Sequence, residues 1–354
     1  MLRIVLEPRA APWRSMRLAA PGIALLLTLL VSVPMLFALG LDPPATLRTF
    51  FLAPLSSANG ISEWLLKASP LILIGLGLTV GFRANVWNIG AEGMYTIGAL
   101  CSAWLALRFG DGAHVWLLPA MMLAGALGGI AWAAIPAFLR TVTNTSEILV
   151  SLMLNYVAAL LLGYLVNGPM QDPQGMNYPQ TAAFGPAALF TPLFAGVRLN
   201  ASIFITAAAV VLAWLLLDRS FLGFRLSVSG AAPAAARYAG FPPARLIWFS
   251  LLASGASAGL AGMMEAAGPL GQLTPVISPG YGFAAIIAAF IGRLEPLGVV
   301  FGGLLLSLLY LGGEAVQMSL NVPASLARSF QGILLFFLLA ADVLIMHRVT
   351  LRRR

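Results

Sequence analysis

Ile148-Leu-Val-Ser-Leu-Met-Leu-Asn-Tyr-Val-Ala-Ala-Leu-Leu-Leu-Gly-Tyr-Leu-Val166 runs for nineteen residues without a charge. Wound as an α-helix it rises about 28 Å, close to the ~30 Å hydrocarbon core of a bilayer. Similar runs recur from Leu18 to Met346, and the 354-residue chain is 60% hydrophobic and 9% charged, with mean hydropathy +0.92. A soluble domain carries about a quarter charged residues, so a chain this poor in charge belongs in lipid. The fold class expected is an all-α polytopic membrane protein.

Ten spans are expected, at 18–41, 64–82, 89–107, 115–139, 148–166, 201–217, 246–267, 281–291, 297–317 and 326–346. Lys and Arg bias a loop toward the cytoplasm. Arg3, Arg9, Arg14 and Arg17 before the first span, and Arg348, Arg352, Arg353 and Arg354 after the last, put both termini there. A signal peptide has an apolar region of only about 7–15 residues; Leu18–Leu41 is longer and reads as a retained span. The expected layout is a cytoplasmic tail at 1–17, one transmembrane domain at 18–346 with a cytoplasmic segment at 218–245, and a basic tail at 347–354.

The span 281–291 is short, unless Leu270–Gly280 contributes a half-helix. Irregular backbone at membrane depth is tolerated only where protein or a water-filled cavity lines it. Pro269, Pro275, Pro279 and Gly280 therefore mark either a transport pathway or a misplaced span boundary. Between 167 and 200 the chain is punctuated by Pro and Gly and carries only Asp172 and Arg198, which reads as an ordered external loop.

Several chemistries are excluded. The net charge of +8 sits where topology wants arginine, so it does not argue for nucleic acid. Cys101 is alone, which rules out a disulfide within the chain. His114 and His347 lack metal-ligand spacing. The sole lysine, Lys67, is not in a GxxxxGK[ST] loop, so if ATP drives this protein another chain must bind it.

Intramembrane acids are functional candidates by default, because charge at mid-bilayer is costly. Glu92 follows Asn88 by four residues, and Glu147 follows Asn144 by three in a stretch like a capping box. For both, the alternatives are helix-start electrostatics and a direct role in transport. No series of acids and histidines is placed to relay protons through the centre.

The cytoplasmic segment contains Gly230-Ala-Ala-Pro-Ala-Ala-Ala-Arg-Tyr-Ala-Gly240. Pro233 can start a helix and Gly240 can end it. Its small side chains suit a groove on a partner; a plain surface loop is the alternative.

Four motifs in order resemble the permeases of bacterial ABC importers for simple sugars and nucleosides. They are Asn88-Ile-Gly-Ala-Glu-Gly93, Ser151-Leu-Met-Leu-Asn-Tyr156, Ala235-Ala-Arg-Tyr-Ala-Gly240, and Ser278-Pro-Gly-Tyr-Gly-Phe283 followed by Ile291-Gly-Arg-Leu-Glu-Pro-Leu-Gly298. Leu152 stands where the family often has Ile. The resemblance runs from about 64 to 342 and is closer to the nucleoside branch than to the ribose or branched-chain amino acid branches. It implies a permease in the plasma (inner) membrane that binds no cofactor itself, with ATP and Mg held by a cytosolic ATP-binding subunit. A second permease subunit, homo- or heterodimeric, and an external binding protein or lipoprotein are the other partners implied.

Residues implied to couple to the ATPase are Ala235, Ala236, Arg237, Tyr238, Ala239 and Gly240. Those expected on the path or its gate are Asn88, Glu92, Asn155, Tyr156, Tyr281 and Phe283, with Asn88 and Glu92 beside the inner mouth and the Asn155 and Phe283 regions facing across a cavity. Neutral polar and aromatic groups of this kind suit an uncharged ligand that stacks and hydrogen-bonds. A self-sufficient ion- or proton-coupled carrier is the alternative.

Overall fold

A computed structural model describes residues 2–8, 14–38, 40–110, 112, 114–320 and 347–353, with isolated positions between 325 and 340. In chain order the elements are β1 (Leu2–Pro8), α1 (Arg14–Ala38), α2 (Pro43–Leu52), α3 (Ala58–Arg83), α4 (Ala91–Phe109), α5 (Leu117–Val142) and α6 (Glu147–Val166). There follow α7 (Ser202–Trp214), α8 (Phe221–Ala231), α9 (Pro233–Tyr238), α10 (Pro243–Glu265), α11 (Tyr281–Ile291), α12 (Pro296–Leu320) and β2 (His347–Arg353). Helix α7 runs on through a π-helical turn at Leu215–Arg219, and α10 through another at Ala266–Leu270.

Six helices among the described residues are long and apolar enough to cross a membrane: α3, α5, α6, α7 with its π turn, α10 with its π turn, and α12. The expected ten are not reached on that measure. The expected last span, 326–346, lies largely outside the described residues. Helix α11 matches its expected bounds, but Leu270–Gly280 adds no half-helix: after the π turn the backbone is irregular, with left-handed φ at Gly271 and Gly280. Helices α2 and α8 were not expected from the sequence.

A two-stranded sheet departs from the all-α expectation, β1 pairing antiparallel with β2 from Leu2–Arg353 to Pro8–His347. The chain divides into two compact units, 1–61 with 308–354 and 62–307. In the first, Gly312 lets α12 approach the Phe50 carbonyl of α2. The second carries every candidate site residue.

Burial within the second unit inverts the soluble pattern. Helix α3 is the most enclosed span, whereas α5, α6 and α7 leave Leu123, Leu127, Leu160, Tyr164, Phe204 and Leu212 exposed, as lipid-facing helices do. Small residues bring α4, α5 and α10 together. A Cβ on Gly98 would run into the Gly259 backbone, and one on Gly259 into Gly125.

The loop at 167–200, expected to be ordered and external, has its backbone groups met by the end of α10 and the segment that follows it. Thr181 N–H donates to Leu273 O at 3.0 Å, Phe184 N–H to Gly271 O at 2.7 Å and Phe190 N–H to Ala267 O at 3.0 Å. Arg198 adds an ion pair to Glu63 at 3.2 Å and a bond to Pro269 O at 2.9 Å.

Candidate functional site

Helix α3 ends in a reversal. Asn85 takes a left-handed φ of 56°, and Val86 N–H returns to Gly81 O at 2.9 Å. Residues 86–90 then run back into the protein as non-helical backbone. Asn88 reaches Ser254 of α10, the residue that also lies against Gly77. Gly77 is six residues before the end of α3, so the chain re-enters by about 9 Å before α4 begins. Asn88 and Glu92 therefore lie within the protein, away from the level at which α3 ends.

Non-helical backbone at that depth must have its polar groups met by protein. Helix α6 meets them. Asn155 Oδ1 accepts from Gly93 N–H and Asn155 Nδ2 donates to Ile89 O, both at 2.8 Å. Ser151 Oγ accepts from Ile89 N–H at 3.2 Å. Asn88 acts before the helix: its Oδ1 takes Gly90 N–H at 2.8 Å and its Nδ2 donates to Ser254 Oγ at 2.7 Å. The residue that precedes α4 as its cap is Gly90, and the amide that meets Gly93 N–H is supplied from another helix.

The glycines of Asn88–Gly93 have a spatial reason. A Cβ on Gly90 would sit 2.7 Å from Ser151 Cβ, and one on Gly93 2.9 Å from Asn155 Oδ1. The two motifs fit together because the first lacks side chains where the second presents them.

Helix α11 joins the same junction. Glu92 Oε2 accepts from Gly282 N–H at 2.6 Å, and Ser278 Oγ accepts from Gly280 and Tyr281 N–H at 3.0 and 2.9 Å. The Glu92 carboxylate thus lies in the first turn of its own helix and at the start of α11, two positive dipole ends. Tyr281 packs edge-on to Tyr95 with ring centroids 6.3 Å apart. Glu92→Gln keeps an oxygen for Gly282 and loses the charge, for an expected cost of about 0.3–1 kcal/mol. Glu92→Ala leaves the amide unmet, for about 1–3 kcal/mol. Thermal unfolding in detergent should order the chains wild type, Gln, Ala; equal midpoints would mean that the carboxylate holds nothing.

The structure brings together Asn88, Glu92, Asn155 and Tyr281, and leaves two candidates outside the junction. Asn155 is 7% exposed whereas its neighbour Tyr156 is 63% exposed, on the other face of α6; Phe283 is 42% exposed. Asn155 and α11 are linked through α4. An apolar groove of about 820 Å³ between α4, α5 and α6 is lined by Trp104, Leu127 and Leu161 among others, and by none of the candidate residues. Glu147 also differs from expectation. Ser146, not Asn144, precedes α6 as its cap, and Glu147 pairs with Arg140 at 3.2 Å and takes Trp87 N–H at 3.4 Å. Ser254 and Ser278 were missed; Ser250, Ser254 and Ser257 recur at helical spacing in an apolar run, a legible signal for a polar stripe on α10.

The segment 218–245, expected to be cytoplasmic, contains two helices, α8 and α9. Leu226 of α8 is buried against Val80, Ala137, Leu217 and Leu246. Helix α9 begins at Pro233, and its end is a Schellman closure: Gly240 has φ 77°, Gly240 N–H donates to Arg237 O and Phe241 N–H to Ala236 O, both at 3.0 Å. Ala236 is 2% exposed and Tyr238 98%. The outward surface is therefore Ala235, Arg237, Tyr238, Ala239 and Gly240, while Ala236, expected on it, is turned into the protein because one face of α9 must pack.

Spans that expose apolar side chains around an enclosed helix, and a polar junction where two helices start inside the protein, fit a multi-span membrane protein. The chain belongs to the family of branched-chain amino acid transport system permease components, whose model matches residues 60–339. It is 36% identical to the glucose ABC transporter permease protein TsgB13 of Haloferax volcanii, over 98% of this chain and 94% of that one. It is 27% identical to the nucleoside ABC transporter permease protein NupB of Lactococcus lactis, over 92% and 91%, and 30% identical to the guanosine ABC transporter permease protein NupP of Bacillus subtilis, over 78% and 80%. The chain is a permease subunit of an ABC importer of the simple-sugar and nucleoside kind. That sets aside the self-sufficient carrier.

Proposed function

We propose that this permease passes an uncharged solute, a nucleoside or a related sugar, along a path beside the joined starts of α4 and α11. Most polar groups there are neutral amides and hydroxyls, and the Glu92 carboxylate already faces the start of α11. A substrate anion would meet a resident charge of the same sign. Relatives named for glucose, nucleosides and guanosine support an uncharged cargo. Uptake of labelled guanosine, glucose and leucine by the complete transporter tests this; leucine as the preferred cargo would reject it.

Import is driven by a cytosolic ATP-binding subunit that carries the ATP and Mg and docks on α8 and α9. The observation that carries this reading is Tyr238, fully presented from a short helix whose two ends are fixed. A second permease subunit completes the path, and an external binding protein or lipoprotein delivers the solute to the loop 167–200. The plasma (inner) membrane, with both termini on the ATP side, is the location.

Tyr238→Asp puts a charge into that contact and should lower coupled transport by tenfold or more, since central interface aromatics are worth about 2 kcal/mol or more. The chain itself should remain folded. Ala236→Glu should behave differently, unseating α9 and reducing the folded chain, because a buried unpaired charge is costly. Normal transport by the Tyr238→Asp complex would remove α9 from the ATPase contact.

A further inference from the structure

Arg83 lies at the C-terminal end of α3, makes polar contacts with two separate turns and is approached by a third part of the chain. Its Nη1 pairs with Asp218 Oδ1 at 2.8 Å and reaches Leu217 O at 3.3 Å, both in the π turn that leads into α8. Its Nε donates to Leu294 O at 2.8 Å, in the turn between α11 and α12. Its own carbonyl is covered by Gly230, near the end of α8, where a Cβ would collide with it. Beside it, Phe82 stacks on Phe290 of α11 with centroids 5.3 Å apart, and Trp87 stacks on the same ring at 5.7 Å.

The turn that Arg83 grips is itself unusual. Arg293 and Leu294 both have left-handed φ, 54° and 58°, and Gly292 allows backbone contact with Gly298 and Val299. A guanidinium suits this position because its planar fork offers several fixed donors at once; an ammonium would be a single point charge. Helix α11 is therefore held at both ends. Glu92 of α4 holds its start, and Arg83 holds the turn after its end.

We propose that Arg83 is the positioning residue through which displacement of the α8–α9 segment moves α11, so that an ATPase-driven shift at the cytoplasmic face reaches the junction with α4. Asp218 at the entry of the segment and Gly230 near the end of α8 bracket Arg83, so the segment cannot shift as a body without disturbing it. Leu294 carries the shift to α11, and Glu92 carries it to α4. The proposal rests on the reading that α8 and α9 face the ATP-binding subunit.

The test uses the complete transporter, with ATP-binding subunit and binding protein, reconstituted in liposomes. ATP hydrolysed per solute imported is compared for wild type, Arg83→Gln and Arg83→Lys. Coupling between sites is commonly 5–150-fold, and Arg83→Gln should raise the ratio by about fivefold or more. Arg83→Lys, which keeps the pair with Asp218, should give an intermediate ratio. An unchanged ratio in Arg83→Gln overturns the proposal. So does a fall of import and hydrolysis in step with the amount of complex recovered, since that marks a merely structural role.

If Arg83→Gln does not assemble, Asp218→Ala decides, because it removes the carboxylate partner and leaves the Arg83 bonds to Leu217 and Leu294. A raised ratio supports the route, and an unchanged one overturns it. Tyr238→Asp separates the two readings. Normal coupling in Tyr238→Asp rejects the ATPase contact and the route with it; impaired Tyr238→Asp with normal Arg83→Gln rejects the route alone.

Discussion

A Gly259→Val chain is expected to disappear from the folded fraction extracted from membranes. Gly259 sits where α4, α5 and α10 meet, and a Cβ there would run into the Gly125 carbonyl and lie 2.9 Å from Gly129 Cα. The obstructing atoms are backbone, so no side chain can rotate away and the helices must separate. Overpacking a core costs about 1–3 kcal/mol and sometimes more. Here the separation would also loosen Gly98 and Gly129, which use the same approach. Gly163→Val is the control, since nothing lies within 4 Å of a Cβ at that position in α6. Monodisperse protein recovered in detergent, with its unfolding midpoint, is the measurement. Equal recovery of the two variants would show that the three-helix contact is not what holds the unit together.

Asn155→Leu is expected to abolish transport and lower the unfolding midpoint by several degrees. The substitution keeps the side-chain size and removes the bonds to Gly93 N–H and Ile89 O. Each buried backbone group left unmet costs about 1–3 kcal/mol, and both belong to the re-entrant start of α4. Tyr156→Leu, one residue along but on the exposed face, should change stability little. Asn155→Asp discriminates further, because it retains an acceptor for Gly93 but sets an oxygen against the Ile89 carbonyl. Should Asn155→Leu match Tyr156→Leu in both assays, α4 would not depend on α6 for its start.

Both effects come from residues whose importance the sequence reveals unevenly. The small residues in Gly125-Ala-Leu-Gly-Gly129 and Gly255-Ala-Ser-Ala-Gly259 declare close helix approach in general. They do not say which helix approaches which. Asn155 stands out as an amide in a run of Leu, Val and Ala, so it announces that it needs partners. Those partners, Ile89 and Gly93, lie 66 and 62 residues away, beyond any local pattern. Glu92 and Gly282 are 190 apart. Asn88 takes the free Gly90 N–H just before α4, as a local capping preference suggests, but the amide supplied from α6 and the serine on α10 are long-range partners that no local preference names.

What the sequence alone determined is the set of features with a short-range cause. Apolar runs long enough to cross lipid become helices because the backbone has no other partner there, as 117–142, 147–166 and 296–320 show. Pro233 and Gly240 bound α9 because one lacks an N–H and the other tolerates left-handed φ. Tertiary structure alone decided the depth at which α4 begins, the inward turn of Ala236, the failure of Asn144 to cap α6 and the grip of Arg83 on two turns. Each of these is a choice among partners of equal local suitability. A buried N–H accepts any well-placed oxygen, and a guanidinium any carboxylate or carbonyl, so only the packing of helices distant in sequence selects which one is within 3 Å.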